Sequence, residues 1–294
     1  MILNKESIAS VFTNFRADFE AGKLAAKPIH PQLAMQVKSS SAEENYAWLG
    51  QNSSLREWIG DKHFNGLAVS SFTLKNRNFE HTISVPQNDI EDDKLGVLSS
   101  PFQMMGQDAA LHPDSLLFEL IQKGTGTPCY DGQYFFDTDH PADPGDPDKG
   151  GVSNLALDPQ AGGVPSWYLL DTTKIVKPFI LQIRKDYTFI KKDQNTDDHV
   201  FNRGEFVYGV EARLNAGFGL WQLAYASNLP LTAANVASAD AAMMSIKAPT
   251  GKPLGITANV LLVSPAMKES ALKLLKLETS HYRDAFELIV CPWL

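Results

Sequence analysis

The sequence predicts an α+β protein in which helices and strands are unevenly mixed. Apolar residues recur at helical spacing near the N-terminus and again across 87–124. β-forming residues cluster at 67–85, 164–183, 206–226, 260–263 and 286–290, separated by turn chemistry. No internal repeat appears at solenoid periods, so the elements must share cores instead of stacking as units.

In the first element Ile8, Val11, Phe12, Phe15 and Phe19 form one face of an amphipathic helix, which Asn4 is placed to cap and Gly22 to end. Its phenylalanines pack either on the parent domain or on a neighbouring subunit, and the spacing leaves both open. Periodicity then stops. From Gly22 to Ser41 the chain reads as an extended arm with a turn at Ser39, Ser40 and Ser41. Alternating residues in Leu67–Lys75 and Phe79–Val85, joined by Asn76, Arg77 and Asn78, predict a hairpin that Pro86 ends. A two-stranded ribbon is marginal alone and needs its own domain or an adjacent chain beneath it.

Asn88 or Asp89 can cap the next helix, placing Glu91, Asp92 and Asp93 in a first turn where the helix dipole favours acids. The pattern continues to Lys123 through Phe102, Met105, Ala109, Leu116, Leu117, Leu120 and Ile121. Gly96, Ser99, Ser100 and Pro101 predict one break in it, and Pro113 a second kink. Between Thr125 and Pro165 glycine, proline and aspartate predict loop. Strands follow at Trp167–Leu170, Phe179–Ile183 and Phe206–Ala226, the last bent or bulged at Gly209, Gly217 and Gly219. Thr232 caps an alanine-rich helix to about Lys247, Val260–Val263 is a buried strand, Pro265 opens a helix to about Leu277, and Phe286–Val290 closes as a strand.

The 294 residues carry 26 Lys+Arg against 34 Asp+Glu, a formal net charge of −8. A surface that tracks phosphates needs clustered cations, and the densest cluster is Arg184, Lys185, Lys191 and Lys192, so nucleic acid is not the expected ligand. Cys129 and Cys291 lie far apart, which predicts two ordinary half-buried thiols in a reducing compartment and neither a disulfide scaffold nor a zinc motif. Met1 to Phe19 lacks a basic flank before an apolar run, and no stretch is long and apolar enough to span a bilayer, so the chain reads as soluble and intracellular.

The most enzyme-like run is Asp137-Thr-Asp139-His140-Pro141, where two carboxylates and an imidazole could hold a divalent cation or share a proton. The same residues are turn chemistry after the apolar Tyr134–Phe136, which is the stronger reading. Asp143, Asp146 and Asp148 lack the spacing of a calcium loop. There is no nucleophile elbow, and Cys129 has no local histidine partner, His112 and His140 being distant. Gly124-Thr-Gly126 and Gly217-Phe-Gly219 lack the helix and lysine of a phosphate cradle. No catalytic residue, cofactor-binding residue or metal ligand is therefore assigned. The residues alone describe an acidic α+β chain whose apolar helix, arm and ribbon want partners.

Several phrases then align with one family. Tyr46–Gly50 (YAWLG), Leu55–Asp61 (LREWIGD), Ile90–Gly96 (IEDDKLG), Thr127–Pro141 (TPCYDGQYFFDTDHP), Gly217–Tyr225 (GFGLWQLAY), Leu229–Asn235 (LPLTAAN) and Glu287–Leu294 (ELIVCPWL) resemble the Mu-like prophage major head subunit. The resemblance implies a tailed-phage major capsid protein of the Hong Kong 97-like fold, structural and non-catalytic, with no cofactor. It implies an N-terminal arm over 1–45, an extended loop over 46–86, the spine helix of the peripheral domain over 87–124, and the axial domain with the remaining peripheral strands over 125–294. Glu278–Phe286 is shorter than the loop this fold places before its last strand. The implied partner is the chain itself, in hexamers and pentamers of an icosahedral shell enclosing DNA, with scaffold, protease and portal proteins during assembly and no membrane. The implied location is the virion, after synthesis in the host cytoplasm. Lys62, Lys75 and Asn76 fall in the loop, but nothing in their spacing assigns them to a Lys–Asn crosslink. The competing readings are a hydrolase or metal enzyme centred on Asp137, Asp139 and His140, and a monomeric adhesin or binding module.

Overall fold

The computed structural model describes residues 4–46, 49, 72–92, 95–142, 150–194, 196–248, 251–276, 282 and 284–294. Helix α1 is Lys5–Ala25, and Asn4 closes a capping box on it: Asn4 Oδ1 accepts from Ser7 N–H and Ser7 Oγ accepts from Asn4 N–H. Gly22 does not end this helix. A Cβ there would lie 1.9 Å from the carbonyl oxygen of Gln103, so the glycine exists for a close crossing and the helix runs on to Ala25.

The stretch read as an extended arm holds a short helix, α2 (His30–Leu33), and then strand β1 (Ala34–Lys38). Strand β2 is Glu43–Asn45, β3 is Thr73–Lys75 and β4 is Arg77–Pro86. The hairpin expected of the last two does not form: β3 pairs antiparallel with β2, while β4 pairs along its whole length with the later strand β10 (Glu205–Phe218). The reason is Asn76. It does not reverse the chain, because its side-chain amide donates to Ser39 Oγ and to the carbonyls of Ser41 and Ala42, holding one strand to the preceding loop as the next departs. The predicted strand residues 67–71 lie outside the described residues, as do Lys62 and Asp93.

Helix α3 is Gln87–Glu91, which begins before the expected cap and puts Glu91 at its end. Helix α4, Leu95–Gln122, then runs unbroken through Gly96, Pro101 and Pro113. Burial overrides propensity here: Phe102 and Met105 are anchored in one apolar core, Leu117 and Ile121 in another, and the helix spans the two.

The loop after α4 contains short strands β5 (His140–Pro141), β6 (Gly151–Val152) and β7 (Leu155–Ala156). Then come β8 (Trp167–Leu170), β9 (Phe179–Lys192), helix α5 (Asp198–Arg203), β10, β11 (Ala224–Ser227), α6 (Ala233–Ser245), β12 (Val260–Val263), α7 (Lys268–Lys276) and β13 (Glu287–Val290). The bent strand expected over 206–226 is two strands in different sheets. Gly219 marks the corner, because a Cβ there would sit 2.4 Å from the Lys177 carbonyl oxygen. The ladder irregularity in β10 falls at Glu211 and Arg213, not at Gly209. The shortened loop before the last strand lies largely outside the described residues.

One sheet has the order β1-β9-β10-β4, with β1 parallel to β9 and the other pairs antiparallel. Helices α1 and α4 cover it. Phe15 stacks on Phe102 at 4.1 Å, and Phe189 and Tyr208 complete the aromatic layer between helices and strands. Of the two placements open to the phenylalanines of α1, the structure shows the one on the parent domain. The second sheet, β13-β12-β8-β11-β7, packs Trp167, Leu169 and Val260–Val263 with Val236, Met243, Ala271 and Leu275 of α6 and α7, in a core that also takes in Ala34, Phe179, Leu214 and Phe218 of the first sheet.

Candidate functional site

The run from Cys129 to Gln133 folds as a tight turn in which Cys129 N–H donates to the Gln133 carbonyl and Gly132 takes φ +90°. The turn brings Asp131 back against Cys129. Asp131 Oδ1 accepts from the Cys129 thiol at 3.0 Å and from Gln133 N–H at 3.1 Å. Its other oxygen lies 2.8 Å from His140 Nδ1. The His140 ring is wholly buried and stacks on Trp221 at 3.9 Å with an interplanar angle of 8°. Buried Asn154 braces the neighbouring backbone, donating to the carbonyls of Phe135 and Trp221 while its Oδ1 accepts from Asp137 N–H.

Burial works to raise the Asp131 carboxyl, but hydrogen bonds from His140 and Cys129 outweigh it and hold the group below the usual carboxylate range. Burial and the adjacent carboxylate push the Cys129 thiol far up, so by itself it is no nucleophile. The triplet Asp137, Asp139 and His140 does not converge. Asp137 accepts from the backbone N–H groups of Tyr134 and Thr138, Asp139 is exposed and hydrogen-bonded to Asp137, and His140 turns inward to Asp131. The structure thus pairs Asp139 with Asp137 and sends His140 to Asp131, so the three do not share one centre. Asp131 is the residue that sequence reasoning missed, although the Asp131-Gly132 pair is a turn signal that folds Asp131 back on Cys129.

A second polar knot sits where β2 and β3 pair. Glu44 Oε1 accepts from the hydroxyls of Ser39 and Ser41 and from the N–H groups of Ser40 and Ser41. Gln182, buried in β9, donates to the Leu74 carbonyl and to Asn76 Oδ1, and accepts from the Tyr46 hydroxyl. The β2–β3 ladder is thus fixed to the first sheet. The Ser40 N–H, then the Ser39 hydroxyl and Ser41 N–H, hold the Glu44 carboxyl below its ordinary value. A lowered folded-state pKa contributes stability that is present above the ordinary glutamate value of about 4.3 and lost as pH falls through the folded one. Stability measured by denaturant at neutral pH and near pH 3 should therefore fall more in the wild type than in Glu44→Gln.

On the surface, Ile175 is 94% exposed and Phe201 84% exposed, the latter on α5 at the tip of the β9–β10 hairpin. Single exposed apolar side chains are ordinary on a protein surface and mark no contact by themselves, so what they meet must come from other evidence.

That evidence comes from relatives. Residues 8–294 match the family model of the Mu-like prophage major head subunit gpT. The chain belongs to this family. The head subunit is 36% identical to the major capsid protein of Escherichia phage Mu over 306 residues, covering 100% of both chains. It is 37% identical over 276 residues to the Mu-like prophage FluMu major head subunit of Haemophilus influenzae, covering 92% of this chain and 89% of that one. Its fold matches a chain in the procapsid of bacteriophage JBD30 with a TM-score of 0.86 at 36% identity, covering 99% of this chain and 100% of that one. The head subunit has the Hong Kong 97-like major capsid fold, and it is a structural capsid protein, not an enzyme. Among its described residues no helix is long and apolar enough to cross a membrane.

Proposed function

We propose that the head subunit assembles with copies of itself as hexamers and pentamers into the icosahedral shell of a virion enclosing packaged DNA. The observation that carries this is the match over the whole chain to a procapsid subunit. The sheet under α1 and α4 fits the role of peripheral domain with α4 as its spine, and the second sheet with α6 and α7 fits the axial domain. In this reading the arm of 1–45 is seated on its own subunit along α1. The extended loop of 46–86 has its base in the β2–β3 ladder, while β4 belongs to the peripheral sheet. A net charge of −8 suits a wall that surrounds DNA without adhering to it. Scaffold, protease and portal proteins are the partners during assembly, which takes place in the host cytoplasm.

Expression of the full chain followed by sedimentation and cryo-microscopy tests the reading. Closed shells or capsomer rings support it, and a species that stays monomeric at every concentration overturns it. Phe201→Ser and Ile175→Ser should leave denaturant stability within about 0.5 kcal/mol, as surface changes do. Each should still raise the concentration needed for assembly roughly tenfold, since a lost apolar contact worth about 1.4 kcal/mol recurs in every copy. Sedimentation of dilution series reads this directly.

A further inference from the structure

Shell building makes no use of the buried cluster in the loop after α4, and that cluster has the composition of a metal site. One ligand atom each from Cys129, Asp131 and His140 lie within 4.8 Å of one another. Ligands on a tetrahedral zinc stand roughly 3.3–3.8 Å apart, so a small adjustment of the turn, opening the two hydrogen-bonded pairs to Asp131, brings these atoms to that spacing. Two further observations point to a cation. The Asp131 side chain is only 4% exposed, and among the described residues His140 is its only ion-pair partner, with no lysine or arginine to balance the charge. Buried charges are otherwise paired or coordinate metals. His140 has none of its surface exposed, and its Nδ1, 2.8 Å from Asp131 Oδ2, is the ring nitrogen that faces the cluster.

We propose that Cys129, Asp131 and His140 hold one structural divalent cation of the zinc class. The sulfur and imidazole donors select zinc over calcium or magnesium, which take oxygen ligands. On binding, the thiol proton leaves to solvent and a sulfur–metal bond replaces it, while the proton that His140 Nδ1 shares with Asp131 passes to Nε2 and frees the Nδ1 lone pair for the metal. The thiolate and carboxylate then contribute two negative charges against two positive ones, and the buried site becomes neutral. Three protein ligands leave a fourth position for water, and stacking on Trp221 fixes the imidazole. The cation would tie the 129–133 turn to the strand at His140, stiffening the loop that follows α4.

The test is metal content. The full chain, purified without chelator, exposed to Zn2+ and passed through a desalting column, should retain one zinc per chain by mass spectrometry. Co2+ in its place should give the sulfur-to-cobalt charge-transfer absorption of a thiolate ligand. Cys129→Ser and His140→Gln should each weaken zinc binding roughly tenfold or more, as loss of a ligand or its support does, whereas Cys291→Ser should retain it. The wild-type measurements need no variant to fold. A chain that keeps no zinc and shows no cobalt–thiolate band overturns the proposal, as does a Cys129→Ser chain that binds zinc like the wild type.

Discussion

Replacing Gly106 by valine is expected to destabilise the first core by about 3 kcal/mol, at the upper end of overpacking costs, because the clash is with backbone and not with a side chain that can rotate away. Helices α1 and α4 cross through a reciprocal pair of glycines. A Cβ on Gly106 would lie 2.0 Å from the Phe19 carbonyl oxygen, and one on Gly22 1.9 Å from that of Gln103. Neither helix can yield without drawing Phe15 and Phe19 out of the layer formed with Phe102, Phe189 and Tyr208. Denaturant unfolding should show the loss, and hydrogen exchange should show it concentrated in α1. Gly96→Ala is the control, since nothing lies within 4 Å of the position its Cβ would take in the same helix, and it should be neutral or slightly stabilising. If Gly106→Val unfolds like the wild type, the close crossing is not the seat of α1.

The same pair shows where sequence reading stops. The apolar face of α1 and its Asn4 cap are local signals, and so are the strands Trp167–Leu170 and Val260–Val263, where short apolar runs lie between turn residues. Gly22 is also a local signal, and it misleads, because a glycine near a helix end is the usual stop and only the partner helix reveals it as a crossing point. Asn76 fails likewise: Asn-Arg-Asn is turn chemistry, yet its amide serves carbonyls more than thirty residues earlier. Which strand lies beside β4 is settled by residues 205–214, and no periodicity within 77–86 records that. The cluster at Asp131 was half legible, since Asp-Gly announces the turn but nothing local brings His140 to it. Function was legible only through whole phrases such as Thr127–Pro141, because a structural subunit has no catalytic residues whose spacing could declare it.

The second large effect is expected at Asp114. This carboxylate is fully buried on α4, one residue past Pro113, and its oxygens accept from Ile29 N–H, His30 N–H and His30 Nδ1, each at 2.7 Å. These bonds fasten α2 to α4 and thereby place β1 as the edge strand beside β9, ahead of the serine and Glu44 knot at the β2–β3 ladder. Asp114→Ala strands the buried donors and should cost about 3–5 kcal/mol, the usual penalty for removing one partner of a buried ion pair. Asp114→Asn keeps one acceptor oxygen and should cost less, about 1–3 kcal/mol. Hydrogen exchange separates a local from a general effect: protection should fall first across 29–38, while Val260–Val263 in the second sheet keeps its own. If the chain assembles as proposed, the consequence follows from position, because a β2–β3 ladder resting on a loosened β1 must be ordered again each time a subunit joins its neighbours. Asp114→Ala should therefore assemble poorly at temperatures where the second sheet is still intact. Equal loss of protection in both sheets would mean that Asp114 supports the whole molecule instead of this one attachment.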